Sequence, residues 1–184
     1  FIVNYHALTT IQDKKLLAEN TLNAAIDFMA LGLDPDRSTF WIQSDVPQVC
    51  ESTWLLSNIV NVGALDRATS YKDKLAKGIT ANVGLYLYPI LMASDILLFG
   101  GEIVPVGNDQ KQHIEITRDI AIRFNQTYED VFIVPEPDIE KTNQLVPGID
   151  GQKMSKSYGN TIPIFGDEES IRKKFMSIVT DSTD

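Results

Sequence analysis

Two lysines, Lys153 and Lys156, stand three residues apart in the stretch GQKMSKSYGN, residues 151–160, with Ser155 and Ser157 interleaved. Ammonium groups at that spacing, with hydroxyl and main-chain donors beside them, can gather around an anion in which negative charge develops. Gly151 and Gly159 bracket the segment where a chain takes unusual backbone angles, and no apolar periodicity runs through it, so it reads as a polar loop. Taken alone, paired lysines usually just face water. What surrounds them has to decide.

A second candidate lies in GLYLYPILMASDILLFG, where Tyr88, Leu91, Met92, Asp95 and Leu98 follow one another at three and four residues and therefore share one side of a helix. Asp95 interrupts that apolar stripe. An unpaired buried carboxylate is very costly, so it needs a charged or donor partner, or a cavity to open onto; an internal ion pair and a ligand contact are equally compatible with the segment. In IVPVGNDQKQHIEIT, Gly107, Asn108 and Asp109 separate a strand from a helix, where free N–H groups and the helix dipole can meet a ligand, or where Asp109 simply caps the helix. Gln110, His113 and Thr117 then share one helix face, expected to be solvated. His6 follows the first strand, a position at which structural histidines outnumber catalytic ones. The two histidines lack the spacing of a metal motif, and no metal site is expected.

The elements that position these residues alternate. FIV (1–3) predicts a buried strand, DKKLLAENTLNAAIDFMALG a helix ending at Gly32, TFWIQ (39–43) a second strand, and VCESTWLLSNIV a helix capped by Ser44 or Asp45 with Pro47 near its first turn. Helical patterns recur around LDRATSYKDKLA and from about Gly84 to Leu98, then come the strand EIVPV, a helix from Asp109 to about Phe124, and a weak fourth strand VFIV (131–134). PEPDIEKTNQLVPGIDGQ reads as a long irregular connection, TIPIF as a short extended piece, and DEESIRKKFMSIV as a last helix with acids first and bases later. Strands separated by helices predict a mostly parallel α/β sheet, with ligands outside the carboxyl ends of the strands. That points to Asn4 to His6, Gln43 to Asp45, Gly107 to Gln110, and the turn before the lysine loop.

Composition narrows the class. The chain has 184 residues, 43% hydrophobic and 22% charged, which suits one soluble domain over 1–184 with a sizeable core. Its one cysteine, Cys50, excludes an intrachain disulfide and a multi-cysteine zinc site and is compatible with a reducing compartment. No run reaches the roughly 18 apolar residues of a membrane span. The net charge of −9 leaves no broad basic footprint for nucleic acid, so such contact would be local or made by another domain. FIVNYHALTT opens abruptly on an apolar strand-like run, as though inside a domain, and the chain is expected to be a fragment.

The order of the pieces says more than each alone. Strand and YHALT, the helix with MASD, VPVGNDQKQH and then LVPGIDGQKMSKS resemble, over essentially the whole chain, the catalytic domain of bacterial-type tryptophanyl-tRNA synthetases. KMSKS matches the signature loop of class I aminoacyl-tRNA synthetases without a departure, and YPILMASD and VPVGNDQKQH single out the tryptophan enzymes. The family's HIGH-type motif would lie upstream of Phe1, and its mostly helical anticodon-binding region would follow VTDSTD. Asn4 stands where many relatives have Asp, Ser94 where many have Ala, and Asn108 where Glu or Lys is commoner.

The resemblance implies an α/β fold of Rossmann-like, doubly wound and mostly parallel type, incomplete at the N-terminus. It implies activation of L-tryptophan with ATP to tryptophanyl-adenylate, loss of pyrophosphate, and transfer to tryptophan tRNA, with the tRNA held mainly by regions outside this chain. Lys153 and Lys156 would be the catalytic pair. Gly107, Asn108, Asp109, Val146, Met154, Ser155 and Ser157 would join them around ATP. Asp95 would accept the indole N–H, Tyr88, Met92, Val104 and Val106 would wall the ring, and His6 and Gln110 would lie near the polar end of the amino acid. Mg2+ would arrive with ATP, with no tightly bound cofactor. A cytoplasmic homodimer, away from membranes, is the expected setting of the full-length protein. A tyrosyl-tRNA synthetase-like enzyme and a non-catalytic nucleotide-binding fragment are the alternatives.

Overall fold

In the computed structural model, which describes residues 1–66, 68, 82–139, 146–155 and 158–179, Ile2 and Ile42 form a parallel bridge. The Ile2 N–H donates to the Trp41 carbonyl at 3.0 Å and the Gln43 N–H to the Ile2 carbonyl at 2.9 Å. The predicted strands FIV and TFWIQ therefore do lie side by side, but each contributes only its bridging residue. The helix α1 (Asn4–Ala7) begins directly after Val3, and a 3₁₀ turn (Gln43–Asp45) follows Ile42. Between the two runs α2 (Lys14–Ala30), whose cap Asp13 accepts the N–H groups of Lys15 and Leu16. Those are donors that the first turn of a helix cannot satisfy internally.

Next come α3 (Gln48–Ser57), α4 (Val62–Asp66) and α5 (Val83–Leu97). Most of LDRATSYKDKLA, residues 67 and 69–76, lies outside the described residues. The strand–helix–strand plan then repeats: β1 (Ile103–Pro105) pairs in parallel with β2 (Glu136–Asp138), with Val104 opposite Pro137. The connection holds a 3₁₀ turn (Asn108–Gln110) and α6 (Lys111–Thr127), so the helix expected from Asp109 starts two residues later.

VFIV is not the strand expected there. The Asn125 side chain takes its backbone groups, accepting from the N–H of Val131 and Phe132 and donating to the Phe132 carbonyl. Those groups are then not available for a ladder, and Phe132 and Val134 turn to the core instead. TIPIF, expected as a short extended piece, pairs in no ladder; Pro163 has no N–H to donate, and Ile164 and Phe165 remain exposed.

The core lies where α5 meets α3 and α6. Leu56, Leu65, Ala68, Ile90, Ala93, Leu97, Ile116, Ile120 and Ala121 form one buried cluster. On α5 the buried positions Leu85, Pro89, Ile90, Ala93, Ser94 and Leu97 recur at helical spacing, leaving Tyr88, Leu91, Met92 and Asp95 on an adjoining, half-buried side. The helix runs through Pro89 without ending. Ser94 places its hydroxyl in the core and donates it to the Val49 carbonyl at 2.9 Å, which ties α5 to α3. No helix among the described residues is long and apolar enough to cross a membrane.

By contact density the chain divides into two units, Phe1–Ile139 and Glu140–Asp184. All the elements above belong to the first. The second contains a hairpin around the lysine segment and α7 (Glu168–Met176), capped by Asp167 on the Ser170 N–H and carrying Lys173 and Lys174 in its last turn.

Ile90 is 1% exposed in the centre of the core. Ile90→Ala should cost about 2–5 kcal/mol, seen as a lower urea midpoint with an unchanged slope. A midpoint equal to that of the unaltered protein would place the core elsewhere.

Candidate active site

The polar side chains of the first unit gather just beyond the two bridged extended segments. Asn4 and Ser44 bond reciprocally: the Asn4 Nδ2 donates to the Ser44 Oγ at 2.8 Å, and its Oδ1 accepts the Ser44 N–H at 3.1 Å. Asp95 has a side chain only 7% exposed, and the donors its burial requires are present. His6 Nε2 lies 2.8 Å from Oδ2, and Gln43 Nε2 lies 2.8 Å from each carboxylate oxygen. Gln43 is wholly buried, and its Oε1 accepts the Tyr5 N–H at 3.0 Å. His6, expected at the polar end of a bound amino acid, thus reaches the carboxylate of Asp95.

Gln43 falls in the stretch Gln43 to Asp45 expected to face a ligand, but the sequence does not predict its pairing with Asp95. The signal was present: an amide closes an apolar strand in a protein that must also bury a carboxylate. Spacing alone could not pair residues 43 and 95.

The stripe on α5 adjoins this cluster. Tyr88, Met92 and Asp95 are half-buried, whereas Leu98 is exposed. The Tyr88 hydroxyl is hydrogen-bonded to Nε2 of His113, and the Tyr88 ring meets the His6 ring edge-on at 6.2 Å between centroids. The face holding His113 and Thr117 is buried, contrary to the solvated face expected, because α6 turns it toward α5. Thr117 satisfies its hydroxyl on the His113 carbonyl at 2.8 Å. Burial pushes the His113 pKa below the ordinary 6.5; the charge of Asp109 opposes this and His6 adds to it. A neutral His113 ring can accept from the Tyr88 hydroxyl.

Val104 and Val106 sit half-buried on one side of β1 and its extension, and the Val106 N–H donates to the Asp138 carbonyl at 3.0 Å. Gly107, Asn108 and Asp109 are exposed, Gln110 partly so. A Cβ at Gly107 would stand 2.7 Å from Asp109 Oδ1, so a side chain there would displace that exposed carboxylate. Asp109 does not cap α6, whose N-cap is Gln110; it accepts instead from Gln110 Nε2 at 3.2 Å.

In the second unit, Pro147 and Lys153 form an antiparallel bridge. The Gly148 N–H donates to the Gln152 carbonyl and the Met154 N–H to the Val146 carbonyl, each at 2.7 Å. Gly151 and Gly159 have φ of +76° and +66°, the left-handed backbone their positions suggested. Lys153 is exposed, and Met154 and Ser155 are half-buried; Lys156 and Ser157 lie outside the described residues.

Asn160, for which the sequence predicts no role, cross-links the hairpin. It is 2% exposed. Its Oδ1 accepts the Ser155 N–H at 2.8 Å, while its Nδ2 donates to the Asp150 Oδ1 at 2.8 Å and the Lys153 carbonyl at 3.0 Å. The donated bond from Asn160 holds the Asp150 carboxyl below its ordinary value. Gly148 is obligatory, since a Cβ there would lie 2.4 Å from Asn160 Nδ2.

Parallel extended segments spanned by helices, with a polar cluster outside their carboxyl ends, define a Rossmann-like ligand-binding fold. The chain belongs to the class I tRNA synthetases of the W and Y group, whose family model matches residues 1–184. It is 56% identical to the tryptophan–tRNA ligase of Fusobacterium nucleatum over 184 residues, covering 100% of this chain and 57% of that protein. To the Campylobacter jejuni ligase it is 54% identical over 183 residues, again with 57% of that protein covered. Among solved structures, tryptophanyl-tRNA synthetase from Campylobacter jejuni complexed with ADP and tryptophan matches with a TM-score of 0.94 at 54% identity, covering 100% of this chain and 58% of that one. The Mycoplasma pneumoniae tryptophanyl-tRNA synthetase matches with a TM-score of 0.86 at 34% identity, with 99% and 56% covered. The chain spans somewhat over half the length of these relatives.

Two consequences can be measured. His113 has a folded pKa below the 6.5 of an unfolded chain, so its contribution to stability is complete above that value and declines as pH falls toward the folded value. The thermal midpoint should fall over that interval, and His113→Gln should flatten the fall; equal slopes would assign it to other groups. Asn160→Ala should remove about 0.5–1.5 kcal/mol per lost bond and speed amide exchange at Ser155, and unchanged exchange there would show that Asn160 does not hold the hairpin.

Proposed function

We propose that the protein activates L-tryptophan with ATP, releasing pyrophosphate, and passes the tryptophanyl group to tryptophan tRNA. The observation that carries this reading is the Asp95 carboxylate on the half-buried side of α5. Among the described residues, Oδ2 contacts both His6 and Gln43, while Oδ1 contacts Gln43 alone. A carboxylate offers about four acceptor sites, so Oδ1 keeps capacity for one more donor. The indole N–H is a donor only, and the two are complementary. Tyr88, Met92, Val104 and Val106 supply apolar walls for the ring, and Gln110 serves the polar end of the amino acid.

Lys153 and Lys156 are assigned to the charge that builds on departing pyrophosphate. Compact ammonium groups stabilise such charge when it appears in the transition state. The Asn160 bonds to either side of Met154 support this, since they set the main chain from which Lys153 projects. Gly107, Asn108, Asp109, Val146, Met154, Ser155 and Ser157 are assigned to ATP, and Mg2+ enters with the nucleotide. The names of the relatives support tryptophan over tyrosine. The family resemblance further implies a cytoplasmic homodimer at full length.

The test is ATP–pyrophosphate exchange by the full-length protein. Exchange should depend on tryptophan and not on tyrosine. Lys153→Ala should lower the adenylation rate by about 100- to 1000-fold, the equivalent of roughly 2.7–4 kcal/mol, while tryptophan binding measured by calorimetry stays near that of the unaltered protein. Exchange driven by tyrosine would favour the tyrosyl reading. Binding of both substrates with no exchange would favour a non-catalytic one.

A further inference from the structure

We propose that Gln43 is a positioning residue for amino-acid selection: its amide fixes the Asp95 carboxylate so that one acceptor site, on Oδ1, faces the ligand's ring N–H. The proposal rests on the assignment of Asp95 to the indole nitrogen. A side-chain amide can be turned either way, but here the main chain settles its orientation. The Tyr5 N–H needs an acceptor and takes Oε1 at 3.0 Å, so Nε2 must face Asp95. Gln43 is 0% exposed, leaving no solvent to replace either bond.

The contact is symmetric. Nε2 lies 2.8 Å from both carboxylate oxygens, and His6 Nε2 adds a second donor on Oδ2 at 2.8 Å. Rotating the carboxylate would break the Gln43 contact on one oxygen and the His6 bond on the other. Both neighbours are donors, so the group they hold serves as an acceptor. A ligand that brings a donor is matched; one that brings only an acceptor, or nothing, leaves the site unsatisfied in a partly dry environment. Gln43 need not touch the ligand to exert this choice.

Two substitutions separate this role from simple core filling. Gln43→Met keeps the bulk and removes the amide. In the full-length protein it should raise the tryptophan KM about tenfold or more, leave the ATP KM within about twofold, and cut the preference for tryptophan over an analogue with sulfur in place of the ring nitrogen by about tenfold. Gln43→Glu can still accept from the Tyr5 N–H but turns a second carboxylate oxygen toward Asp95. Two carboxylates that close share a proton, so its kcat/KM for tryptophan should rise between about pH 8 and about pH 6 relative to the unaltered protein.

A residue that only fills the core would lower the thermal midpoint and leave both the substrate ratio and the pH profile as they were; that result overturns the proposal. A measurement without substitution guards against variants that fail to fold. The side-chain amide resonances of Gln43 in the unaltered protein should shift on saturation with tryptophan, and no shift would overturn the proposal. Absence of tryptophan binding by the unaltered full-length protein in calorimetry would instead sink the underlying assignment of Asp95, and this one with it.

Discussion

A carboxylate taken out of water on an otherwise apolar helix is the constraint from which the arrangement of the first unit follows. Asp95 can be 7% exposed only because donors reach it from two other segments. His6 comes from α1 and Gln43 from the turn after Ile42, and the Ile2–Ile42 bridge brings those two segments to adjacent positions. The bridge, the short helix after it and the packing of α5 on α3 are therefore one mutually dependent set. Ser94 reinforces it from the adjoining side of α5, one residue before Asp95, through its bond to the Val49 carbonyl.

Side-chain amides do much of the organising that regular pairing does elsewhere. Asn125 satisfies the backbone of residues 131 and 132, Asn4 joins the chain to Ser44, Gln43 joins Tyr5 to Asp95, and Asn160 binds both sides of Met154. An amide carries an acceptor and two donors on one short planar group. It can therefore bind a backbone N–H and a backbone carbonyl at once where two strands do not meet. In the lysine hairpin the buried Asn160 adds such bonds to the main-chain pairs Gly148–Gln152 and Met154–Val146.

The charge distribution suits this division of labour. The protein carries a formal charge of −9, yet the segment around Lys153 presents its cation from an exposed position on a tightly bonded hairpin. A local cation on a fixed main chain can favour charge that develops at one place without making the surface broadly attractive to polyanions.

Much was determined by the sequence alone. Helical periodicity located α2, α3, α5, α6 and α7, because each must bury one stripe or cap a visible first turn; the glycines at 151 and 159 marked left-handed backbone because other residues resist it; and the ordered motifs, ending in KMSKS, identified the family. Tertiary structure decided what pairing and burial decide. VFIV has the composition of a strand, but Asn125, six residues before Val131 and seven before Phe132, captures its backbone. The face of His113 and Thr117 is polar, yet it is buried, because the opposing helix offers Tyr88 and the helix itself offers a carbonyl. The roles of Gln43 and Asn160 were hidden for the same reason. A buried amide acquires meaning only from the atoms at its two ends, and for Gln43 those lie 38 and 52 residues away along the chain.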